Sequence, residues 1–303
     1  MKFILQSDLV WLSETKKCLN VNVPGFKVFY NCSKHGSHRG GIILLIKHKL
    51  VEFVKCVDMQ NEGQIWVTLT FLTSYKIGGV YIPPEDSPYF EQADIGTLAS
   101  QTIESGNLFV VGDLNGRVAV PNIADCNDMP FVYSGVVDHT FNARGRKLVN
   151  ICANNNMVIA NHLFHGNRQL GGNLSYKQGT RWVSELDLCL ANQECIQHVS
   201  EITTRQDIAG SDHAPLCVTI SIPSSKVTNN FLLLERASML GESHHQTKEG
   251  PILRKSPSHQ NIDLHQFTSM LQKTSPPISI NDINNPDQVE AGCFTIMDTA
   301  ARC

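Results

Sequence analysis

The sequence lacks any segment suited to entering or crossing a membrane. Its longest wholly apolar run is IILLI at residues 42–46, whereas a membrane-spanning helix needs about 20 apolar residues. The N-terminal stretch MKFILQSDLV is interrupted by Asp8, and its apolar part is too short for a signal peptide. We therefore expect an intracellular protein, nuclear or cytoplasmic, that makes no contact with a membrane.

Cysteine pairs and a surplus of basic residues are also absent. The ten cysteines include no CxxC pair, and several lie in apolar runs such as LDLCL (186–190) and PLCVTI (215–220). Buried free thiols in a reducing compartment explain this pattern better than a disulfide framework. Because the formal net charge is −3, any contact with a nucleic acid has to use a local basic patch.

The first 222 residues are rich in short apolar segments typical of β-strands. The segments are KVFY, GIILLIK, QIWVTLTFL, IGGVYI, LFVVGD, MVIAN, ELDLCL and APLCVTI. Several are continuous apolar runs, as expected for strands buried on both faces. Helices are predicted over 88–104 and 144–155. Because strands outnumber helices, we predict stacked sheets with helices outside rather than a doubly wound single sheet.

The composition changes after Ile222. Residues 223–262 are rich in Ser, Asn, His and Pro and show little periodicity, which indicates a linker. Weak helices are predicted around 262–273 and 286–302. The chain is thus divided into a domain of residues 1–222 and a linker region of residues 223–303.

The segment LFVVGDLNGR, residues 108–117, joins one of the predicted strands to two polar side chains. Four apolar residues lead into Gly112 and Asp113, and Asn115 follows two positions later. Asp, Asn and Gly are the usual residues of turns, so this segment by itself is better explained as a turn. The second interpretation is a site in which the strand holds a carboxylate and an amide at the edge of a sheet.

Acidic and histidine side chains adjoin apolar runs in three other segments. These are DLVWLSET (8–15), SELDLCL (184–190) and AGSDHAPLCVTI (209–220). Glu14 and Asp113 follow strands, whereas Asp212 and His213 precede one. The end of one strand and the start of its antiparallel neighbour share a sheet edge, so these side chains, together with Asn115, can converge. Carboxylates gathered in this way repel one another unless a cation is present, and Mg²⁺ held by carboxylates and substrate phosphate fits such a cluster.

The order of these segments resembles the endonuclease/exonuclease/phosphatase superfamily, most closely the apurinic-type endonuclease domain of non-LTR (LINE-like) retrotransposons. The resemblance spans residues 3–222 and rests on SET, YIPP, GDLN, SELD and SDH in that order. The segment NARGRKLVNICANNNMVIAN (142–161) also resembles its retrotransposon counterpart. The resemblance implies a four-layer α/β sandwich and a DNA endonuclease that hydrolyses phosphodiester bonds with Mg²⁺, or with Mn²⁺ as an alternative.

The resemblance assigns one group of residues to the metal and the water. Glu14 resembles the glutamate that binds Mg²⁺, and Asp212 is expected near the metal. Asp113 matches the aspartate that aligns or deprotonates the attacking water. Asn115 matches the neighbouring residue that contacts the phosphate.

A second group of residues is assigned to the phosphate and the histidine. Tyr81 falls at the position of an aromatic hydroxyl near the scissile phosphate. Asp187 matches the residue that accepts a hydrogen bond from the catalytic histidine, here His213. A carboxylate partner fixes the tautomer of a histidine and raises its basicity, which lets the ring act as an imidazolium beside a phosphate.

Departures from the family pattern leave alternatives open. Family members carry an N-terminal strand that ends in asparagine or aspartate beside the metal, and Met1 falls after that strand. We therefore expect a truncated domain that lacks a central strand, and either an active endonuclease or a catalytically impaired remnant or binding module. Inositol polyphosphate 5-phosphatases share GDLN-like and SDH segments, but the chain reads RWVSELDLCL (181–190) where they carry a PAWCDRI-like stretch, which favours the nuclease branch. Residues 223–303 resemble the linker that precedes a reverse transcriptase.

Overall fold

The structure, a computed structural model, describes most of residues 2–222 and one C-terminal segment. The described ranges are 2–15, 22–32, 40–88, 90, 92–103, 106–119, 131–133, 136–165, 168–169, 173–207, 211–222 and 293–300. The helix predicted around 262–273 lies outside these residues. Within the described ranges, no helix has the length and apolar character needed to cross a membrane.

The helices and strands follow the predicted order within the first 222 residues. The helices are α1 (Lys2–Gln6), α2 (His48–Val51), α3 (Gln92–Thr102), α4 (Ala143–Asn154) and α5 (Gln193–Ile196), with a 3-10 helix at Ala160–His162. The strands are β1 (Leu9–Ser13), β2 (Phe26–Asn31), β3 (Ile42–Lys47), β4 (Val54–Asp58), β5 (Gln64–Thr70), β6 (Ser74–Val80), β7 (Asn107–Asp113), β8 (Phe131–Tyr133), β9 (Met157–Ile159), β10 (Leu163–His165), β11 (Arg168–Gln169), β12 (Tyr176–Gln178), β13 (Arg181–Ser184), β14 (Asp187–Asn192), β15 (Val199–Thr204), β16 (Leu216–Ser221) and β17 (Cys293–Ala300). Each segment predicted as a strand overlaps an observed strand, and α3 and α4 confirm the two helices predicted in this region.

Two six-stranded sheets form the centre of the fold. Sheet A has the strand order β15-β16-β17-β1-β3-β2, and sheet B has the order β4-β5-β6-β7-β14-β9. Neighbouring strands in these two sheets run antiparallel except for the parallel pairs β1–β17 and β6–β7. A small sheet of β11, β10 and β8 and a hairpin of β12 and β13 lie beside them.

Apolar side chains fill the space between the sheets and cover both outer faces. Between the sheets lie Trp11 of sheet A and Phe109 of sheet B, both fully buried. Helices α3 and α4 cover the outer face of sheet B through Leu98 and Leu148, and α1 covers the outer face of sheet A through Ile4. Burying one large apolar side chain contributes roughly 1.5–3 kcal/mol. The layers are helix, sheet, sheet and helix, which confirms the predicted four-layer α/β sandwich.

Residues 293–300 form a strand, so the helix predicted over 286–302 is wrong for this segment. β17 lies between β1 and β16, where Ile296 pairs with Leu9 on one side and with Val218 on the other. The central position that was predicted to be empty is therefore occupied. Short apolar segments fit helical and extended periods alike, and here the partners supplied by the sheet decide in favour of the strand.

Five described cysteines are free, as predicted, but only Cys152, Cys189 and Cys195 are also buried, since Cys56 is exposed and Cys217 is half-buried. The free cysteines among the described residues are Cys56, Cys152, Cys189, Cys195 and Cys217. Cys32 is disulfide-bonded, so the prediction is wrong at that residue. Burial raises the pKa of Cys152 and of Cys195 to about 12, which keeps both thiols protonated and unreactive.

Candidate active site

The polar residues predicted from separate segments meet at one end of the two sheets. In sheet B, Asp113 is the last residue of β7 and Asp187 is the first of β14, and the antiparallel register pairs them directly. Glu14 follows the end of β1 in sheet A, and His213 precedes β16. Strand ends far apart in the chain thus lie at one edge, as the sequence predicts.

His213 and Asp187 form the centre of this site. Nδ1 of His213 lies 2.9 Å from Oδ2 of Asp187, and both residues are buried. The backbone N–H of His213 donates to Oγ of Ser211 at 3.0 Å, and the ring of Tyr176 lies 5.1 Å from the imidazole between centroids. These contacts fix the ring so that its Nε2 lies 3.8 Å from Oδ2 of Asp113.

The turn after β7 orients Asp113. The backbone N–H and the side-chain amide of Asn115 donate to the two carboxylate oxygens of Asp113, each at 3.0 Å, and the amide also donates to the carbonyl of Ile82 at 2.9 Å. Asn115 has φ 48°, a left-handed conformation that Asn adopts more readily than most residues. Gly112 has φ 146°, and a Cβ there would lie 1.9 Å from the carbonyl oxygen of Val80. The segment is therefore a turn and a part of the site at once.

Glu14 and Tyr81 form a second pair beside Asp113. The hydroxyl of the buried Tyr81 donates to Oε1 of Glu14 at 2.5 Å. Glu14 has φ 54°, a conformation that costs about 1–3 kcal/mol in a non-glycine residue and that clusters at functional sites. The charge of Glu14 contributes to raising the pKa of Asp113, so the pair belongs to the same electrostatic cluster.

Burial and like charges shift the pKa values of this cluster. Burial raises the pKa of Asp113 to about 8, and the charges of Asp187 and Glu14 add to the increase. The positive charge of the His213 imidazolium acts in the opposite direction and lowers the pKa of Asp113. Burial disfavours the imidazolium of His213, but the charges of Asp187 and Asp113 outweigh burial and raise its pKa to about 10. The charge of Asp212 acts in the same direction on His213. The carboxylates outnumber the single imidazolium, and a cation relieves their repulsion.

The donor atoms suit a hard divalent cation. Asp113, Asp187 and His213 each offer one ligand atom, and these atoms lie within 4.8 Å of one another. Oδ1 of Asp187 is buried and has no hydrogen-bond partner among the described residues, although buried polar atoms are normally satisfied. Carboxylate oxygens of this kind are the ligands that Mg²⁺ prefers. Glu14 and Asp212, the residues predicted as metal ligands, lie outside this set of three.

Ser175 supports the histidine–aspartate pair from both sides, a role that the sequence analysis missed. Its buried hydroxyl accepts from the backbone N–H groups of Leu186 and Asp187, each at 3.0 Å. Its carbonyl accepts from the N–H of Ala214 at 2.7 Å, next to His213. Because Ser175 lies in an ordinary polar stretch before a short strand, no motif marks it.

A polar network lies behind Asp187 and was also missed. Arg117 forms a two-pronged ion pair with Asp138, with contacts of 2.7 and 2.8 Å. Asp138 also accepts from the backbone N–H of Glu185 at 3.1 Å. The Glu185 carboxylate accepts from Asn161 at 3.1 Å, and Asn161 donates as well to the carbonyl of Asp187. The network therefore fixes the start of β14. Its only sequence signal is the arginine that ends LFVVGDLNGR.

Comparisons with curated proteins find distant relatives. No family model matches the chain. Craniofacial development protein 2 of Bos taurus is 24% identical over 217 residues, which cover 68% of this chain and 35% of that protein. Craniofacial development protein 2 of Tragulus javanicus is 24% identical over 219 residues, which cover 68% of this chain and 36% of that protein. The chain thus spans about a third of the length of the curated relatives it matches.

Solved structures share the architecture at low sequence identity. The catalytic domain of Xenopus laevis APE2 superposes with a TM-score of 0.52 and 14% identity, covering 71% of this chain and 83% of that one. AP endonuclease LMAP from Leishmania major gives a TM-score of 0.54 and 14% identity, covering 71% of this chain and 79% of that one. The 3' phosphatase NExo from Neisseria, bound to a product DNA hairpin, gives a TM-score of 0.51 and 16% identity, covering 71% of this chain and 89% of that one. The chain therefore has the fold of the endonuclease/exonuclease/phosphatase superfamily.

Proposed function

We propose that the protein hydrolyses phosphodiester bonds in DNA with a divalent cation, Mg²⁺ or Mn²⁺, as an endonuclease of the retrotransposon type. The observation that carries this proposal is the position of His213 between two buried carboxylates. Its Nδ1 lies 2.9 Å from Asp187, and its Nε2 faces Asp113 at 3.8 Å. One carboxylate sets the tautomer of the ring, and a water molecule or phosphate oxygen bound beside the 3.8 Å contact would be within reach of both Nε2 of His213 and Asp113.

Asp113 is proposed to hold the attacking water and to accept its proton. Asn115 was predicted to contact the phosphate, but its side-chain amide donates to Asp113 and to Ile82. We therefore assign Asn115 the task of orienting Asp113 toward the water.

His213 is proposed to stabilise the charge that develops on the phosphate. With its Nδ1–H donated to Asp187, the imidazolium directs Nε2–H toward Asp113, beside which the phosphate is proposed to bind. The charges of Asp187 and Asp113 raise the pKa of His213 to about 10, which favours the protonated ring at neutral pH. A positioned acid–base group of this kind contributes typically about 10²–10⁴-fold in rate.

A divalent cation bound at this cluster supplies Lewis-acid stabilisation of the phosphate and of the leaving oxygen. The carboxylates of Asp113 and Asp187 would hold it, together with Glu14, which Tyr81 orients through the 2.5 Å hydrogen bond. Asp212, whose charge acts on His213, would add to the negative field that attracts the ion.

The hairpin of β12 and β13 provides a local basic surface next to the site. Tyr176 forms an isolated β-bridge with His213, so the hairpin begins at the catalytic edge. Lys177 lies over the ring of Trp182, with Nζ 5.5 Å from the ring centroid, and Arg181 is exposed. Basic side chains beside an aromatic ring suit the phosphates and bases of DNA. We propose that this hairpin contacts the substrate despite the net charge of −3.

The assignment to the retrotransposon type rests on sequence alone. It is supported by the order of SET, YIPP, GDLN, SELD and SDH and by the resemblance over residues 142–161. The SELD segment contains Asp187, so the stretch that separates this chain from the phosphatase branch also carries the partner of His213.

Nicking of a supercoiled plasmid tests the proposal. The purified chain is incubated with Mg²⁺, with Mn²⁺ or with EDTA, beside His213→Ala and Asp113→Asn variants. We expect metal-dependent nicking that both substitutions abolish. A parallel assay uses an oligonucleotide with a 3' phosphate. Release of inorganic phosphate without nicking would place the activity in the phosphatase branch, and DNA binding without either reaction would identify a non-catalytic binding module.

A further inference from the structure

We infer that residues 293–300 are an integral strand of the catalytic domain, inserted in cis into the centre of sheet A, and that the active-site edge depends on this insertion. β17 pairs in parallel with β1 from Leu9↔Ile296 to Ser13↔Ala300. It pairs antiparallel with β16 from Leu216↔Asp298 to Ser221↔Cys293. A strand paired on both sides is a structural element of the sheet.

The backbone register aligns β17 with a neighbour on each side. Phe294 pairs with Ile220 of β16, and Ile296 pairs with Val218. Asp298 pairs with Leu216 of β16 and with Trp11 of β1, toward the end of the strand at which the site residues lie.

The position of β17 ties together the two parts of sheet A that carry site residues. On one side, β1 leads directly into Glu14, and on the other side His213 precedes β16. Without β17 the sheet divides into the pair β15-β16 and the group β1-β3-β2. β17 also packs against β7, which ends in Asp113. The strand thus fixes the spacing between Glu14 and His213.

The chain can make this insertion within a single molecule. About 70 residues separate the end of β16 from the start of β17, and an extended chain covers up to about 3.3 Å per residue. That length far exceeds the distance between neighbouring strands, which is about 4.8 Å. No second copy of the chain is needed to supply the strand.

Ile296→Pro in the full chain tests the inference, with Ile296→Val as the matched control. Proline removes a backbone donor and is excluded from central strands, whereas valine keeps the donor and the β-branched shape. For Ile296→Pro we expect a melting temperature roughly 6–12 °C lower and faster amide exchange in β1 and β16. Nicking should fall by about 10²-fold, as expected for a displaced site residue. Ile296→Val should remain close to the parent in all three measurements.

A synthetic peptide of residues 291–303 completes the test. Added to the Ile296→Pro protein, it should restore the melting temperature and the protection of β1 and β16, because it can occupy the vacated position. Equal exchange protection in the proline variant and the parent would overturn the inference. Strand exchange between copies would also overturn it, and would appear as a dimer of the parent protein in light scattering. The exchange and melting measurements do not require DNA cleavage, so they decide this inference even if the proposed function fails.

Discussion

The carboxylate of Asp187 and the imidazole of His213 lie 2.9 Å apart although 26 positions separate them in the sequence. Ser175 holds the backbone on both sides of this contact, through its hydroxyl at Asp187 and its carbonyl at Ala214. Both members of the pair are buried, so their mutual orientation is set by packing and hydrogen bonds rather than by solvent. The pair, and not either residue alone, is therefore the unit whose removal should matter.

Asp187→Asn is expected to reduce nicking by about 10²–10⁴-fold, the usual contribution of a positioned acid–base pair. The amide keeps the shape of the side chain but cannot stabilise an imidazolium, so the pKa of His213 should fall from its raised value. The imidazole signals of His213 in an NMR titration report this pKa directly. Asp207→Asn is the control, because Asp207 is exposed and its partner is Arg205. Activity that survives Asp187→Asn unchanged would remove the pair from the mechanism.

Tyr81→Phe isolates the hydrogen bond that orients Glu14. Phenylalanine keeps the buried ring but loses the hydroxyl that donates at 2.5 Å. A hydrogen bond to a charged group contributes about 1.5–3 kcal/mol, so we expect nicking at limiting Mg²⁺ to fall roughly 10–100-fold. Raising the Mg²⁺ concentration should recover part of the loss if Glu14 binds the ion. Tyr30→Phe, on an exposed residue, should change nothing, and an equal effect of both substitutions would contradict the assignment.

Ser175→Ala tests whether Ser175 positions the pair formed by Asp187 and His213. The substitution leaves two backbone N–H groups, those of Leu186 and Asp187, without their acceptor. Each buried donor left without a partner costs about 1–3 kcal/mol, so the melting temperature and nicking should both fall. Ser175→Thr restores the hydroxyl and should recover the pKa of His213 measured by NMR. Failure of threonine to recover that pKa, in a variant that is fully folded, would show that Ser175 acts only through packing.

Most of the fold could be predicted from local sequence because its strands are continuous apolar runs. The run at β3, for example, is buried along nearly its whole length, as expected for a continuous apolar run that forms a strand covered on both faces. The convergence of Glu14, Asp113 and His213 was also predictable, since each adjoins a strand end and strand ends meet at sheet edges. Asp187 was predicted only through the family resemblance.

The features that escaped prediction depend on partners distant in the chain. β17 becomes a strand because β1 and β16 offer it backbone partners on both sides. The sequence of residues 293–300 does not identify those partners. Ser175 was missed for the same reason, because its hydroxyl accepts from two backbone N–H groups of another segment. The disulfide at Cys32 likewise depends on proximity, which the spacing of cysteines does not reveal.

The metal-free protein is expected to lose stability as the pH rises from about 6 to about 9. The pKa of His213 is raised from 6.5 to about 10, so the stabilisation from its ion pairs is full below pH 6.5 and is lost toward pH 10. The pKa of Asp113 is raised from 3.8 to about 8 by burial. Its burial therefore costs stability increasingly between pH 3.8 and about 8, and this loss adds to that from His213 in the range where the two overlap.

Melting temperatures measured in EDTA at several pH values report this loss of stability. Asp113→Asn should make the melting temperature depend less on pH, because it removes one of the titrating groups. If Mg²⁺ binds the ionised carboxylates of the folded state, as proposed, its addition should raise the melting temperature most at high pH. A melting temperature that is constant or rises across this range in EDTA would show that the cluster is not charged as described.

Lys177→Ala and Arg181→Ala test the proposed contact of the hairpin with DNA. Each basic side chain that neutralises a phosphate adds about 0.9 to the slope of log affinity against log salt for duplex DNA. Each substitution should therefore weaken binding at low salt and reduce that slope by about 1, as measured by fluorescence anisotropy in EDTA so that no cleavage occurs. Lys55→Ala, on an exposed residue of β4 at the outer edge of sheet B, is the matched control and should leave the slope unchanged. If all three variants bind as the parent does, the substrate lies elsewhere on the catalytic edge, and the hairpin serves only to position Ser175 and Tyr176 beside His213.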